Sequence, residues 1–371
     1  MIPVVDVTRE NLALKAELEA AMSHVLEGGH FILGPEVEAF EAEFAAYCGS
    51  RQGVAVGSGT EALRLALQAL KLQTGDEVIT VSFTAFPTIL AVLAAGARPV
   101  LVDIDPETFV MDVNAVRDAF SPRTRAIIPV HLFGHPVDMD PLLELAREKG
   151  IAVIEDACQA HGAEYKGRKL GGLGNLACFS FYPTKNLAGL GDGGMVLTND
   201  GQLADRLRSL RNMGQDERFH HVELSSHSRF DDLQAAALRV KLPYLDAWNA
   251  RRRELARLYD RHLPAGLLQT PPERPWATHN YHRYVVRVDH REGFIGAMRD
   301  AGVGTDVYYP IPGHLQPALR GVDFGVGDLS ASERAAESVV TLPLFPTLTD
   351  SEVEQIIAAV GTAATAASGR V

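Results

Sequence analysis

The chain has 371 residues, 46% of them hydrophobic and 22% charged, which is the make-up of an ordinary globular protein and enough length for two domains. A net charge of −12 disfavours nucleic acid or an anionic membrane as partner, and no apolar run approaches the roughly 20 residues that a bilayer-spanning helix needs. Three cysteines without paired spacing (Cys48, Cys158, Cys178) and an N-terminus lacking the layout of a secretion signal make a reducing cytoplasm the expected location.

From about residue 53 to 200, short β-rich runs alternate with helical patterns. Val54–Val56 precedes a helix over Thr60–Leu70, whose leucines recur at helical spacing. Gly75–Val81 reads as turn then strand. Pro99–Asp103, Ala126–Val130 and Ile151–Glu155 are apolar runs of the kind buried on both faces of a sheet. Pro141 starts a helix that Gly150 stops. This alternation predicts an α/β fold with a mainly parallel central sheet. A helical stretch follows from Leu233 to about Leu263, broken by the proline-rich Pro271–Pro275. Next come a strand at Tyr284–Val288, a helix near Phe294–Ala301 and a final helix near Ser351–Val360, with Gly361–Val371 expected to fray. The expected division is a large domain over 1–245, N-terminal segment included, and a smaller α+β domain over 246–371.

Four segments carry chemistry. The turn Gly57-Ser-Gly-Thr60 leads from a strand into a helix, whose unpaired N–H groups and dipole attract phosphate; Gly59 allows close approach, and Ser58 and Thr60 offer hydroxyls. The same residues also suit plain N-capping. Asp156 closes an apolar strand at the edge where open α/β sheets hold ligands, and a carboxylate there can keep a pyridine nitrogen protonated; it can equally cap the next turn. Gln159 stands three residues on. Lys185 follows the strand that carries Ser180 and precedes the glycine-rich Gly189-Leu-Gly-Asp-Gly-Gly194. An ordinary lysine is a poor nucleophile, but desolvation frees its amine for Schiff-base chemistry. Together these features point to pyridoxal phosphate. For an anionic substrate, Arg211, Arg218 and Arg229 are the candidate cations, with solvated surface charge as the alternative.

Other signals carry less. His131 and His135 have metal-like spacing, but Gly134 and Pro136 argue against the helix that would align them. Cys158 near His161 lacks an oxyanion motif and reads as a buried structural thiol. Gly171-Gly-Leu-Gly174 lacks a dinucleotide-binding context, and His220-His221 reads as a polar patch. No metal is expected.

Over nearly its whole length the chain resembles the DegT/DnrJ/EryC1/StrS aminotransferases, fold-type I enzymes acting on nucleotide-linked keto sugars. The resemblance rests on Gly29-His-Phe-Ile-Leu-Gly-Pro35, Gly57-Ser-Gly-Thr60, Ile127–Gly134, Glu155-Asp-Ala-Cys-Gln-Ala-His-Gly-Ala163, Phe179-Ser-Phe-Tyr-Pro-Thr-Lys-Asn186, Gly191–Gly194, Ser228–Ala235 and Tyr309–Pro317. It implies Lys185 as the Schiff-base lysine, Asp156 beneath the pyridine nitrogen, Gln159 at the ring hydroxyl, and Gly59, Thr60 and Ser180 at the phosphate. It also implies a homodimer with shared active sites, in which His227, standing where the family has asparagine, reaches the partner's phosphate. Arg229 and Tyr309 would face the sugar, with Tyr308 replacing a common histidine beside them. The family often stacks an aromatic ring on the cofactor from the position of Ala85; Phe83 is the expected substitute and Phe86 its rival. Glutamine at position 159 accompanies amination at C3 in this family, although cyclitol aminotransferases carry it too. The resulting expectation is transfer of an amino group, from glutamate, to a dTDP- or UDP-linked 3-keto-hexose. A cyclitol or 4-keto sugar is the alternative substrate, and a non-catalytic ligand-binding regulator the alternative of another kind.

Overall fold

The computed structural model describes residues 1–367. Within them, the central sheet contains β1 (Gln52–Val56), β2 (Glu77–Val81), β3 (Arg98–Val102), β4 (Thr124–Ile128), β5 (Ala152–Asp156), β6 (Leu176–Ser180) and β7 (Gly194–Thr198), with Gly325–Val326 added at one edge. The spatial order is β1-β7-β6-β5-β4-β2-β3 and then the edge strand. Only β7 runs against its neighbours; every other pairing is parallel. This is the fold-type I architecture, α/β with a mainly parallel sheet.

The strands are mostly apolar because both faces are covered. Val54 and Val56 of β1 pack with Leu63 and Ala66 of the helix Gly59–Ala69 and with Leu207 and Leu210 of the helix Gly201–Arg211. Ala55, pointing the other way, joins Phe40 and Phe44 of the helix Pro35–Cys48 and Leu142 and Leu145 of the helix Met139–Lys149. One consequence positions the site: the C-terminal ends of β1, β5 and β6 lie along one sheet edge, and they end at Val56, Asp156 and Ser180.

The helical stretch after Leu233 is two helices, Asp232–Lys241 and Leu245–His262, separated by a 3-10 turn in which Pro243 cannot donate to the helical ladder. Leu255 and Tyr259 of the second helix join Tyr284, Val286, Phe294 and Met298 in a separate core. Ile2 belongs to it and bridges Val303, so the chain's first residues pack with its last third. The final helix extends to Ala367 rather than fraying from Gly361, because Ala363 and Ala364 are buried in that core. Residues 368–371 of the expected tail lie outside the described residues.

Histidines lie in the seam between these cores. His135, His161, His279 and His282 are at most 3% exposed. Burial, the leading cause in each case, pulls His135 down to about 4 and His161 to about 3, and holds His279 and His282 well below their usual 6.5. All four are therefore neutral in the folded protein, while the unfolded chain protonates them near pH 6.5. Unfolding then takes up protons, so stability falls as pH drops from about 6.5 toward 4, by up to about 1.4 kcal/mol per pH unit for each proton. Chemical denaturation at pH 7, 6 and 5 checks this; a free energy of unfolding that stays flat over that interval contradicts it.

Candidate active site

A cavity of about 250 Å³ opens at that sheet edge, lined by Ser58, Gly59 and Thr60, by Thr84, Ala85 and Thr88, by Asp156, Cys158 and Gln159, and by Ser180 and Lys185. Its first wall is the turn after β1. Ser58 Oγ accepts from the Glu61 N–H at 3.2 Å, so its hydroxyl caps the helix. The Gly59 and Thr60 N–H groups find no protein acceptor among the described residues and remain available for an anion. The turn is fitted tightly: a Cβ on Gly59 would sit 2.7 Å from Ser180 Cβ, and one on Gly194 would sit 2.3 Å from the Ser58 carbonyl oxygen.

Asp156 is the last residue of β5 and 5% exposed. Thr88 Oγ1 donates to its Oδ2 at 2.8 Å, and the Cys158 N–H donates to Oδ1 at 3.2 Å, which fixes the plane of the carboxylate. Gln159 is committed at both ends, accepting from the Phe133 N–H at 2.7 Å and donating to Tyr309 Oη at 3.0 Å. Burial pushes the Tyr309 phenol up and keeps it neutral.

Lys185 follows β6. Its backbone is pinned by the N–H bond to the Tyr182 carbonyl (2.9 Å) and by the next residue, Asn186, whose amide donates to Asn249 Oδ1 at 2.8 Å and to the Asn280 carbonyl at 3.2 Å. Burial lowers the Lys185 amine from 10.5 to about 8, with Arg283 adding to the effect and Cys158 and Asp156 opposing it. Cys158, expected as a buried structural thiol, instead lines the cavity, but burial and the Asp156 carboxylate raise its pKa well above the usual 9 and leave it un-ionised.

Several expected residues lie elsewhere. Phe83 does not line the cavity: it continues the inward alternation of Val81 and is fully buried against Phe109, Phe133 and Tyr309. Phe86 packs with Ile89, Leu101 and Leu319, and the wall between them is Thr84, Ala85 and Thr88. Arg211 is buried in an ion pair with Glu41 and donates to the Ala55 carbonyl at 2.8 Å, so it is structural and unavailable to a ligand. Arg218 lies over the exposed Phe219 ring, with its guanidinium 4.8 Å from the ring centre. His227 is exposed, outside the cavity, and accepts from Arg229 Nε at 2.9 Å. Tyr308 is half-buried beside Tyr309. The glycine loop at 171–174 donates three N–H bonds, from Gly171, Leu173 and Gly174, to the buried Glu155 carboxylate. Sequence reasoning passed over Thr88 and Arg283; a threonine four residues past Thr84 in a helical start was the available signal for the first.

A model of the DegT/DnrJ/EryC1/StrS aminotransferase family matches residues 13–361. The chain belongs to that family. It is 45% identical over 361 residues, 97% of the chain and 95% of the relative, to the dTDP-3-amino-3,4,6-trideoxy-alpha-D-glucose transaminase of Streptomyces venezuelae. It is 41% identical to a pleiotropic regulatory protein of Geobacillus stearothermophilus, with 96% of each chain covered. The solved structure of S. venezuelae DesV in complex with a ketimine intermediate superposes with a TM-score of 0.95 at 44% identity, covering 98% of each chain. The protein is thus a pyridoxal-phosphate-dependent aminotransferase, and the expectation of a non-catalytic regulator gives way. The cavity fits that cofactor: it offers unused helix N–H groups for a phosphate, a hydrogen-bonded carboxylate for a ring nitrogen and a lysine of depressed pKa for an aldehyde.

Replacing Gly194 by Ala drives a methyl into the Ser58 carbonyl and displaces the phosphate-facing turn, at a cost of about 2–3 kcal/mol. Cofactor retained after dialysis should fall at least tenfold (order of magnitude), whereas Gly201→Ala, in open space, should retain it fully. Full retention by Gly194→Ala contradicts this account of the turn.

Proposed function

We propose that the protein transfers an amino group from glutamate to a nucleotide-linked keto sugar, and that the sugar is a dTDP- or UDP-linked hexose carrying its ketone at C3. The observation that carries the reading is one cavity holding the Lys185 amine, the Asp156 carboxylate and the free N–H groups of Gly59 and Thr60. Glutamine at 159 and the 3-amino product in the name of the Streptomyces relative both support C3.

In this reading Gly59, Thr60 and Ser180 hold the cofactor phosphate, with the half-buried Ser58 keeping its capping role. Asp156, oriented by Thr88, keeps the pyridine nitrogen protonated, and Gln159 faces the ring hydroxyl. When bound, the cofactor supplies an electron sink for a carbanion next to nitrogen. Lys185 would hold the cofactor through its amine, which the amino donor would set free. The freed Nζ then takes the proton from the donor's α-carbon and delivers it on, acting as base and then as acid. Its depressed pKa suits both roles, because an amine near 8 is partly neutral at pH 7 while an ordinary lysine is almost wholly charged. The same chemistry in reverse aminates the keto sugar.

We further propose a homodimer in which the exposed His227 serves the partner's phosphate site, with Arg229, Tyr308 and Tyr309 toward the sugar. Support comes from the exposed apolar side chains Phe31, Ile32, Tyr182 and Leu190, of which Tyr182 lines the cavity. Among the described residues no helix is long and apolar enough to cross a membrane, and with its unpaired cysteines we assign the protein to the cytoplasm.

Lys185→Arg should lose the yellow colour of lysine-bound cofactor and at least about 10³-fold in turnover, since a guanidinium cannot act as base or nucleophile. Stripped enzyme should take up pyridoxal phosphate at a rate that rises with pH and reaches half its maximum near 8, because only the neutral amine attacks; a midpoint near 10.5 contradicts a desolvated lysine. A panel of dTDP- and UDP-linked 3-keto and 4-keto sugars and an inosose, with products read by NMR, tests the substrate; exclusive 4-amination overturns the C3 assignment.

A further inference from the structure

Among the described residues three arginines are buried, and two have carboxylate partners: Arg211 pairs with Glu41, and Arg252 with Glu10 at 3.7 Å. Arg283 is the third, at 5% exposure, and among the described residues no carboxylate comes within ion-pair distance of it. Asp306, the acid nearest in sequence to Tyr308, is exposed and accepts instead from the Val307 N–H. Of the five side-chain N–H donors of Arg283, one on Nη1 goes to the His282 carbonyl at 2.9 Å, and the guanidinium also engages the Tyr308 phenol, which leaves donors over. No nitrogen of Arg283 is both sealed from solvent and unpartnered, so its remaining donors open onto space that an anion can enter.

Its neighbours say where that anion would come from. The Arg283 guanidinium lies 5.3 Å from the centre of the Tyr308 ring. Its backbone N–H donates to the Phe133 carbonyl at 3.4 Å, and Phe133 in turn donates to Gln159 Oε1. The preceding residue, His282, sits 3.1 Å from Asn186 Oδ1, one residue past Lys185. Arg283 is thus fixed in the shell that carries Gln159, Tyr309 and Lys185, close enough for its charge to help lower the Lys185 pKa.

We propose that Arg283 is the carboxylate anchor of the substrate site: its remaining N–H donors take a substrate carboxylate while the adjacent carbon is presented to Lys185. This rests on the aminotransferase reading above. A carboxylate can come from the amino donor or from a sugar oxidised at its terminal carbon, and planar two-point recognition of either is what a guanidinium does and an ammonium does not.

The test uses holoenzyme and maleate, a dicarboxylate that cannot be transaminated. By isothermal titration, Arg283→Gln should weaken maleate binding about 10- to 100-fold, the usual effect of losing a charged hydrogen-bonding partner, with Arg283→Lys falling between. The half-reactions then separate the sources. A donor carboxylate is indicated if glutamate-driven bleaching of the cofactor slows far more than amination of a neutral keto sugar; a sugar carboxylate is indicated if only a uronate-type keto sugar suffers. Should Arg283→Gln fail to fold, a maleate-soaked crystal of the unaltered enzyme serves, with a carboxylate oxygen expected within hydrogen-bond distance of the Arg283 guanidinium. Maleate affinity within threefold of the parent in Arg283→Gln, or maleate bound elsewhere in the crystal, overturns the proposal. An unaltered enzyme that binds maleate yet aminates no keto sugar would instead count against the substrate reading alone.

Discussion

An ammonium in water keeps its proton until about pH 10.5, and a lysine that must act as nucleophile and base near neutrality has to be taken out of water. At Lys185 that is achieved chiefly by burial, which brings the amine to about 8, and among the described residues no ion pair restores the charge. The rest of the site is arranged around this constraint. The loop after β6 cannot swing the side chain into solvent, because Asn186 is tied to Asn249 and Asn280 in a buried amide network, and the Asn280 amide in turn donates to the Gln159 and His161 carbonyls. These bonds run from the parallel sheet to the long helix Leu245–His262, so the seam between the two cores is also what holds the lysine in position.

The electrostatics of the site divide by strand end. At the end of β1 the charge is a helix terminus with free N–H groups; at the end of β5 it is a carboxylate held by Thr88 and the Cys158 N–H; past β6 it is the lysine. Parallel strands bring these three ends to one edge, which is why residues 58, 156 and 185 share a cavity. Glu155, one residue before Asp156, faces the opposite way and is satisfied by the loop at 171–174 and by His131, 3.4 Å away. Two adjacent acids on one strand therefore serve separate purposes: one orders a loop and the other faces the ligand space.

Much of this was legible in the sequence because it rests on local patterning. Apolar five-residue runs buried on both faces gave away the parallel sheet, and the turn at Gly57–Thr60 and the lysine after Ser180 stood out by residue type. What was missed depends on side-chain direction or on distant partners. Phe83 looked like a stacking ring, but the period of two that aims it inward with Val81 becomes decisive only once the strand's buried face is known. Arg211 looked like a ligand-binding cation because Glu41, 170 residues away, is invisible to local reading. The helix Pro87–Ala94 went unread because Thr-Ile-Leu-Ala-Val-Leu-Ala is apolar all round and shows no helical period. Arg283 and the buried histidines gain their character from the seam between cores, which no single segment encodes.

Borohydride reduction of the native enzyme followed by peptide mass spectrometry reaches the central point most directly. Lys241 is the natural internal rival, since burial brings its amine to about 8 as well, but its Nζ donates to the Ala188 carbonyl at 2.8 Å and does not line the cavity. The account predicts a single pyridoxyl group per chain, on the peptide containing Lys185. A label on Lys241 or any other lysine, or reduction that fixes no cofactor to the chain, would contradict it.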